Sequence, residues 1–190
     1  MLTEPLAPYL YWAKTRRPAA FDLAGSNLWP CSLDDLPGAR DAIDLAAPND
    51  NGYPPVVDAI ARHYGVPVSA IATAQGCSGA NFLVAAASLG PGDEVIVERP
   101  TYDPLLAACR LMGASIVRVD RRFEDGYRVD PDRVRAALTP RTRLLVLTSP
   151  HNPSGVFIDA ATLREIDAIA AAAGARVLVD EVYLDAANAV

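Results

Sequence analysis

The spacing of apolar positions changes along the chain. Up to about residue 50, stretches such as "SNLWPCSLDDLPGARDAIDLAAPNDNGYPP" are broken by Pro, Asp and Asn and keep no steady period. This predicts an extended N-terminal arm with one short helix, residues 1–50, ahead of a regular domain, residues 51–190. From Val56 the period becomes regular. Val56, Ile60 and Tyr64 fall on one helical face, and "GVPVSA" follows as a stop and a turn. "IATA" predicts a short strand, and after "QGCSG" the run "ANFLVAAASL" predicts a nearly all-apolar helix stopped by "GPGD". "EVIVE" and "SIVRVD" predict strands on either side of the helix "DPLLAACRLMG". "DPDRVRAAL" predicts a helix with Asp130 as N-cap and Pro131 at its first position.

"RLLVLTS" has little alternation, as expected of a strand covered on both faces. Leu163, Ile166 and Ile169 or Ala170 mark the buried stripe of the next helix, which starts either at an Asp159 cap or at a Thr162 to Glu165 capping box. "ARVLVDEVYL" predicts one more buried strand that runs into polar residues. Strands alternating with helices of about ten residues predict an α/β three-layer sandwich, with a mostly parallel central sheet and helices on both faces. Ligands of such sheets sit beyond the carboxyl ends of the strands. The informative stretches are therefore "QGCSG", "RPTYD", "SPHNPSG" and "DEVY".

Composition narrows the partners. With 23 acidic and 17 basic residues scattered along 190, the net charge is −6, and no cationic surface is suggested for nucleic acid or anionic lipid. No apolar run is long enough to span a bilayer, and the N-terminus lacks the order of a signal peptide, so a membrane location is not expected. Cys31, Cys77 and Cys109 are odd in number and widely spaced, which argues against a disulfide framework or a zinc site and fits a reducing cytoplasm. Lys14 is the only lysine among the 17 basic residues, so chemistry that needs a lysine has one candidate here or none.

Taken as walls of one pocket, the strand ends carry a coherent chemistry. Cys77 and Ser78 lie where a helix begins, and backbone amides there bind phosphate or merely permit close packing. Tyr102 can lay its ring on a planar ligand or fill a partly buried position. Asp180 closes "VLVD" at the rim of the sheet, where a carboxylate needs a cation or donors, whether from a ligand or from a structural pair. Tyr183 points into the same cleft or fills the core. Asn152, between Pro150 and Pro153, has a restricted backbone suited to holding its amide in an extended geometry toward a phenolic or carbonyl oxygen. His151 has no carboxylate and serine pair to orient it as a general base, and a solvated or packed role is expected. A ring nitrogen, a ring face, a phenolic oxygen and a phosphate are the four needs these residues meet, and together they are those of pyridoxal 5'-phosphate.

At this point the chain resembles the fold type I pyridoxal-phosphate enzymes, in particular the class I/II aminotransferases. "NGYPPVVDAIARHYGV", "LGPGDEVIVERPTYDP", "TSPHNPSG" and "VLVDEVY" match that family's motifs in order. The resemblance implies that Asp180 keeps the pyridinium protonated, that Asn152 and Tyr183 donate to the phenolic oxygen, that Tyr102 stacks on the ring, and that Cys77 and Ser78 form the phosphate turn. It further implies that Tyr53 reaches the phosphate of a partner protomer in a homodimer, and that the substrates are an amino acid and a 2-keto acid. Gly25 to Leu28 fall where the family's N-terminal segment approaches the substrate carboxylate. The family's Schiff-base lysine lies beyond the "DEVY" tyrosine, and Lys14 does not match it. The sequence therefore reads as a truncated large domain, and these 190 residues alone are expected to bind the cofactor weakly at best and not to transaminate. The same motifs serve carbon–sulfur lyases and decarboxylases. A nucleotide-binding or regulatory α/β module, or an inactive scaffold kept for dimerisation, is a further alternative, although "GCSGAN" lacks dinucleotide spacing.

Overall fold

The computed structural model describes residues 7–17, 19–21 and 30–188. The chain divides into two compact units, Met1–Thr15 with Ala74–Val190, and Arg16–Thr73. The first opens with α1 (Pro8–Thr15), and the second contains α2 (Pro54–Tyr64). In α2 the buried residues are Val57 and Ala61, while Val56 and Tyr64 are exposed. The stripe thus sits one residue away from the expected Val56–Ile60–Tyr64 face. Gly52, in a left-handed backbone (φ +94°), approaches the inward-facing Val57 closely, since an added Cβ would lie 3.0 Å from the Val57 side chain and 2.5 Å from Thr73 Oγ1.

The expected strand at "IATA" is absent, since residues 71–74 are irregular and follow a short 3-10 turn, Val68–Ala70. Two of its four residues are alanine, which has little strand preference, and Ala72 to Ala74 are exposed with no strand beside them among the described residues. Helix α3 (Gly76–Ser88) therefore begins from a loop and not from a strand end.

Beyond it the sequence pattern and the fold agree as far as Asp180, where the strand expected over "ARVLVDEVYL" stops and a turn and a short helix take the place of its last residues. The order is β1 (Glu94–Arg99), α4 (Asp103–Leu111), β2 (Ser115–Asp120), α5 (Pro131–Ala137), β3 (Thr142–Thr148), α6 (Ala160–Ala172), β4 (Arg176–Asp180) and α7 (Leu184–Asn188). The strands form one parallel sheet in the order β2-β1-β3-β4. Alternate residues of a strand point to opposite faces, and here each face has its own core. Val95, Val97, Leu144 and Val146 pack with Ala85, Leu105, Ala108 and Cys109 of α3 and α4. Ile96, Leu145 and Leu147 pack with Val134 of α5 and Ile166 of α6 on the other side. These are the three layers that the unalternated "RLLVLTS" demands. Strand β4, expected to be buried, is mostly half-buried, because among the described residues it pairs with β3 alone.

Asp130 caps α5 by accepting from the amides of Asp132 and Arg133, with Pro131 in the first turn. Of the two possible starts of α6, the Asp159 cap is used, accepting from Ala161 and Thr162. A chain that runs from β1 to β2 on one side and then crosses to β3 on the other leaves a crevice between the carboxyl ends of β1 and β3.

Candidate active site

The segments that follow β1, β3 and β4 meet at this crevice. His151 ties the first two together. Its Nε2 lies 3.0 Å from the Pro100 carbonyl and its Nδ1 2.6 Å from Ser154 Oγ. A carbonyl only accepts, so Nε2 carries the proton and Nδ1 accepts from the serine, which makes the ring the neutral tautomer. The side chain is fully buried, and burial lowers its pKa from 6.5 to about 4. His151 is thus a packed cross-brace and not a general base. The loop around it folds back as a turn over residues 152–154, closed by the Gly155 amide donating to the His151 carbonyl at 2.6 Å.

Beneath that loop is a charged network that the sequence pattern does not announce. Arg121 and Glu98, each 1% exposed in their side chains, pair at 2.9 Å. Arg121 also donates to the carbonyls of Thr148 at 3.1 Å and Tyr127 at 2.6 Å. Glu98 Oε1 accepts from the amide and hydroxyl of Thr148 at 2.8 and 2.5 Å, and Thr148 Oγ1 in turn accepts from the Asn152 amide at 3.1 Å. Burial raises the pKa of Glu98, with the Thr148 hydroxyl and the Arg121 charge acting against it. Asn152 is thereby anchored through its backbone to β3.

Asp180 ends β4 directly opposite Thr148 in register, and its carbonyl accepts from the Ser149 amide at 3.0 Å. Its side chain is buried. Oδ2 accepts from Asn81 Nδ2 at 2.8 Å, and Oδ1 from Cys77 Sγ at 3.2 Å and the Val182 amide at 3.1 Å. Burial, together with the hydrogen bond and charge of Asp180, pushes the Cys77 pKa up to about 12, so this sulfur is a thiol donor. Asn81 was hidden within a run read as nearly all apolar. The signal available was that it is the polar residue one turn after Cys77, hence on the same helical face.

Cys77 and Ser78 occupy the first turn of α3, whose N-cap, Gln75, makes no side-chain cap bond. In contrast to α5 and α6, this helix offers its first amides uncapped, with the positive end of its dipole. Gly76 opens the turn with φ +68°, and nothing lies within 4 Å of where a Cβ would stand. Tyr102 is the half-buried N-cap residue of α4. Its hydroxyl pKa is raised by burial, Ser78 opposes this by a hydrogen bond, and the proximity of Tyr183 and Asp180 adds to the rise. Tyr183 follows in the turn after β4 and is half-buried.

Cys77, Ser78, Tyr102, Asp180 and Tyr183 are therefore neighbours, whereas Asn152 is placed by its backbone amide, which donates to Thr148 Oγ1, the residue opposite Asp180 in register. Tyr53 belongs to the other unit, where it is the 39% exposed N-cap residue of α2. Gly25 to Leu28 lie outside the described residues. Lys14 is exposed in the last turn of α1. Among the described residues no group of three or more His, Cys, Asp or Glu is placed to hold a metal ion, and no helix is long and apolar enough to cross a membrane.

The donor set suits a phosphorylated pyridine. A carboxylate accepts about four hydrogen bonds and Asp180 uses three within the protein, which leaves one acceptor position on Oδ2. Thr101 Oγ1, next to Tyr102 in the chain, is buried and has no hydrogen-bond partner, so polar capacity remains there too.

This sheet, with a buried aspartate at a strand end beside an open helix start, is the large-domain architecture of fold type I pyridoxal-phosphate enzymes. The chain belongs to the aminotransferase class I and II family, whose model matches residues 33–189. It is 40% identical over 165 residues to a probable N-succinyldiaminopimelate aminotransferase of Mycobacterium tuberculosis, covering 78% of this chain and 40% of that protein. It is 42% identical over 111 residues to an arginine–pyruvate transaminase of Pseudomonas aeruginosa, covering 57% and 28%. Among solved structures, an aspartate aminotransferase from Thermus thermophilus with maleate superposes with a TM-score of 0.65 at 32% identity, covering 68% of this chain and 35% of that one. The chain spans less than half the length of these relatives.

Proposed function

We propose that this chain carries the cofactor-binding half of an enzyme that moves an amino group between an amino acid and a 2-keto acid, with pyridoxal 5'-phosphate as cofactor. Bound there, the cofactor supplies an electron sink for the pair left on the substrate carbon when its proton is removed. The chain's residues divide the work of holding it. Asp180 accepts a hydrogen bond from the protonated ring nitrogen and keeps positive charge in the heterocycle. Tyr102 stacks on the ring face, and its burial excludes water from that side. Asn152 and Tyr183 donate to the phenolic oxygen, and the amides of Cys77 and Ser78 bind the phosphate at the start of α3. The observation that supports the reading most is the single open acceptor position of Asp180, a buried carboxylate otherwise fully engaged.

Titrating the protein with pyridoxal 5'-phosphate and following the cofactor's absorbance tests this directly. Saturable binding that is lost in Asp180→Ala and weakened in Tyr102→Ala is expected, and wild-type binding no better than that of Asp180→Ala refutes it. The residue that must hold the cofactor covalently and move the substrate proton is not assigned to Lys14, which is exposed on α1. The 190 residues are accordingly expected to yield no keto acid from any amino acid, and measured turnover would overturn that expectation. Tyr53 is assigned to the phosphate of a second protomer, so sedimentation should report a homodimer whose cofactor affinity falls in Tyr53→Ala. Three free cysteines suit a reducing, cytoplasmic setting.

A further inference from the structure

Asp180 is steered from α3. Cys77 and Asn81 are one helical turn apart, both face β4, and each donates to a different oxygen of the carboxylate, at 3.2 and 2.8 Å. Together with the Val182 amide they fill both positions of Oδ1 and one of Oδ2. The orientation of the Asn81 amide follows from its partner, since a carboxylate oxygen accepts and only the nitrogen end of the amide can face it. Asn81 is itself 94% buried (6% exposed), so water does not replace it as a donor.

We infer that Asn81 is a positioning residue for the cofactor site, holding Asp180 so that its remaining acceptor position meets the pyridine nitrogen and the shared proton stays on the ring. This rests on the proposed function. The physical basis is twofold. An uncharged donor at 2.8 Å spreads the negative charge of Asp180, which favours the ionic form of the pair over one in which the carboxyl takes the proton. The same bond fixes the rotation of the carboxylate about its last torsion, and with it the direction of the open position. Cys77, a thiol throughout the physiological range, braces the other oxygen. The helix that offers its amides to a phosphate thus also aims the group that faces the opposite end of the same molecule.

The test is the 15N spectrum of pyridoxamine 5'-phosphate labelled at the ring nitrogen and bound to the wild-type chain, since this probe needs no lysine to bind. At neutral pH the wild-type protein should hold the nitrogen signal at the protonated position. Asn81→Leu, which keeps bulk but removes the donor, should move it at least half of the way to the unprotonated position and weaken binding about 10-fold, the loss of one charge-assisted hydrogen bond. Asn81→Ser, too short to reach Oδ2 and milder in the core, is read in the same way should the leucine variant not fold. Asp180→Asn is the reference for complete loss of the ring proton. If the signal moves in Asp180→Asn but stays at the wild-type position in both Asn81 variants, this inference is wrong and the proposed function stands. If the wild-type chain does not bind the probe, or binds it with an unprotonated ring, both fail.

Discussion

Replacing Arg121 by Met would remove one half of the most deeply buried ion pair in the described structure. The loss takes away the 2.9 Å bond to Glu98 and the bonds to the carbonyls of Thr148 and Tyr127 at 3.1 and 2.6 Å. Glu98, with 1% of its side chain exposed, keeps only the Thr148 amide and hydroxyl. Breaking a buried pair on one side costs about 3–5 kcal/mol. The Nη2 atom of Arg121 is buried with no hydrogen-bond partner, so its removal returns part of that, and the expected loss is about 3 kcal/mol. The pH dependence supplies a second handle. Burial already raises the Glu98 pKa against the pull of Arg121, and without Arg121 it rises further. A folded state with a raised carboxyl pKa binds its proton more tightly than the unfolded chain, so stability falls as pH rises through the window above 4.5. Urea denaturation followed by circular dichroism should therefore show a larger loss at pH 8 than at pH 5. The double variant Glu98→Leu/Arg121→Met, which leaves no orphaned charge, should recover most of it. A loss below about 1 kcal/mol, or one equal at both pH values, would refute the view that an unpaired buried carboxylate is what the variant creates.

His151 gives a dependence of the opposite sign in a different range. Its pKa falls from 6.5 to about 4 on burial, so between those values the unfolded chain takes up a proton that the folded chain refuses. Stability is full above 6.5 and should decline by about 3 kcal/mol as pH falls toward 4, and His151→Gln should flatten that slope in a series of denaturation curves. Asp130→Ala removes the α5 cap and should cost about 1 kcal/mol in the same assay. Ile166→Ala, at a fully buried position of the α5 and α6 face, should cost about 2–5 kcal/mol, and a smaller value would mean that this core can collapse around the gap.

The parts of the fold legible in the sequence are those where local chemistry and long-range packing demand the same residues. The Leu and Val run of β3 could only be a strand covered twice, and Asp130 before Pro131 could only open a helix. The period misled where no partner was present to enforce it. "IATA" has an apolar pattern but no strand to pair with among the described residues, and the buried stripe of α2 falls on Val57 and Ala61, one residue from the expected face. Within the site, Asp180 was legible because a carboxylate at the end of an apolar strand is costly and must be explained. Asn81 and Arg121 were not. Their partners are 99 and 23 residues away, and their meaning comes only from the side chain opposite. An Asn within an apolar helix and an Arg after a strand look, on their own, like ordinary surface positions.

One consequence of the lysine count concerns chemical trapping. Reagents that fix a carbonyl compound onto a primary amine, such as borohydride added in the presence of an aldehyde cofactor, meet just one lysine side chain in these 190 residues, in the last turn of α1, besides the amine at Met1. Peptide mapping of the reduced adduct then separates two kinds of association cleanly. Label on Lys14 reports reaction with a solvent-facing amine, whereas cofactor retained at the crevice washes away under denaturing conditions and leaves the polypeptide mass unchanged.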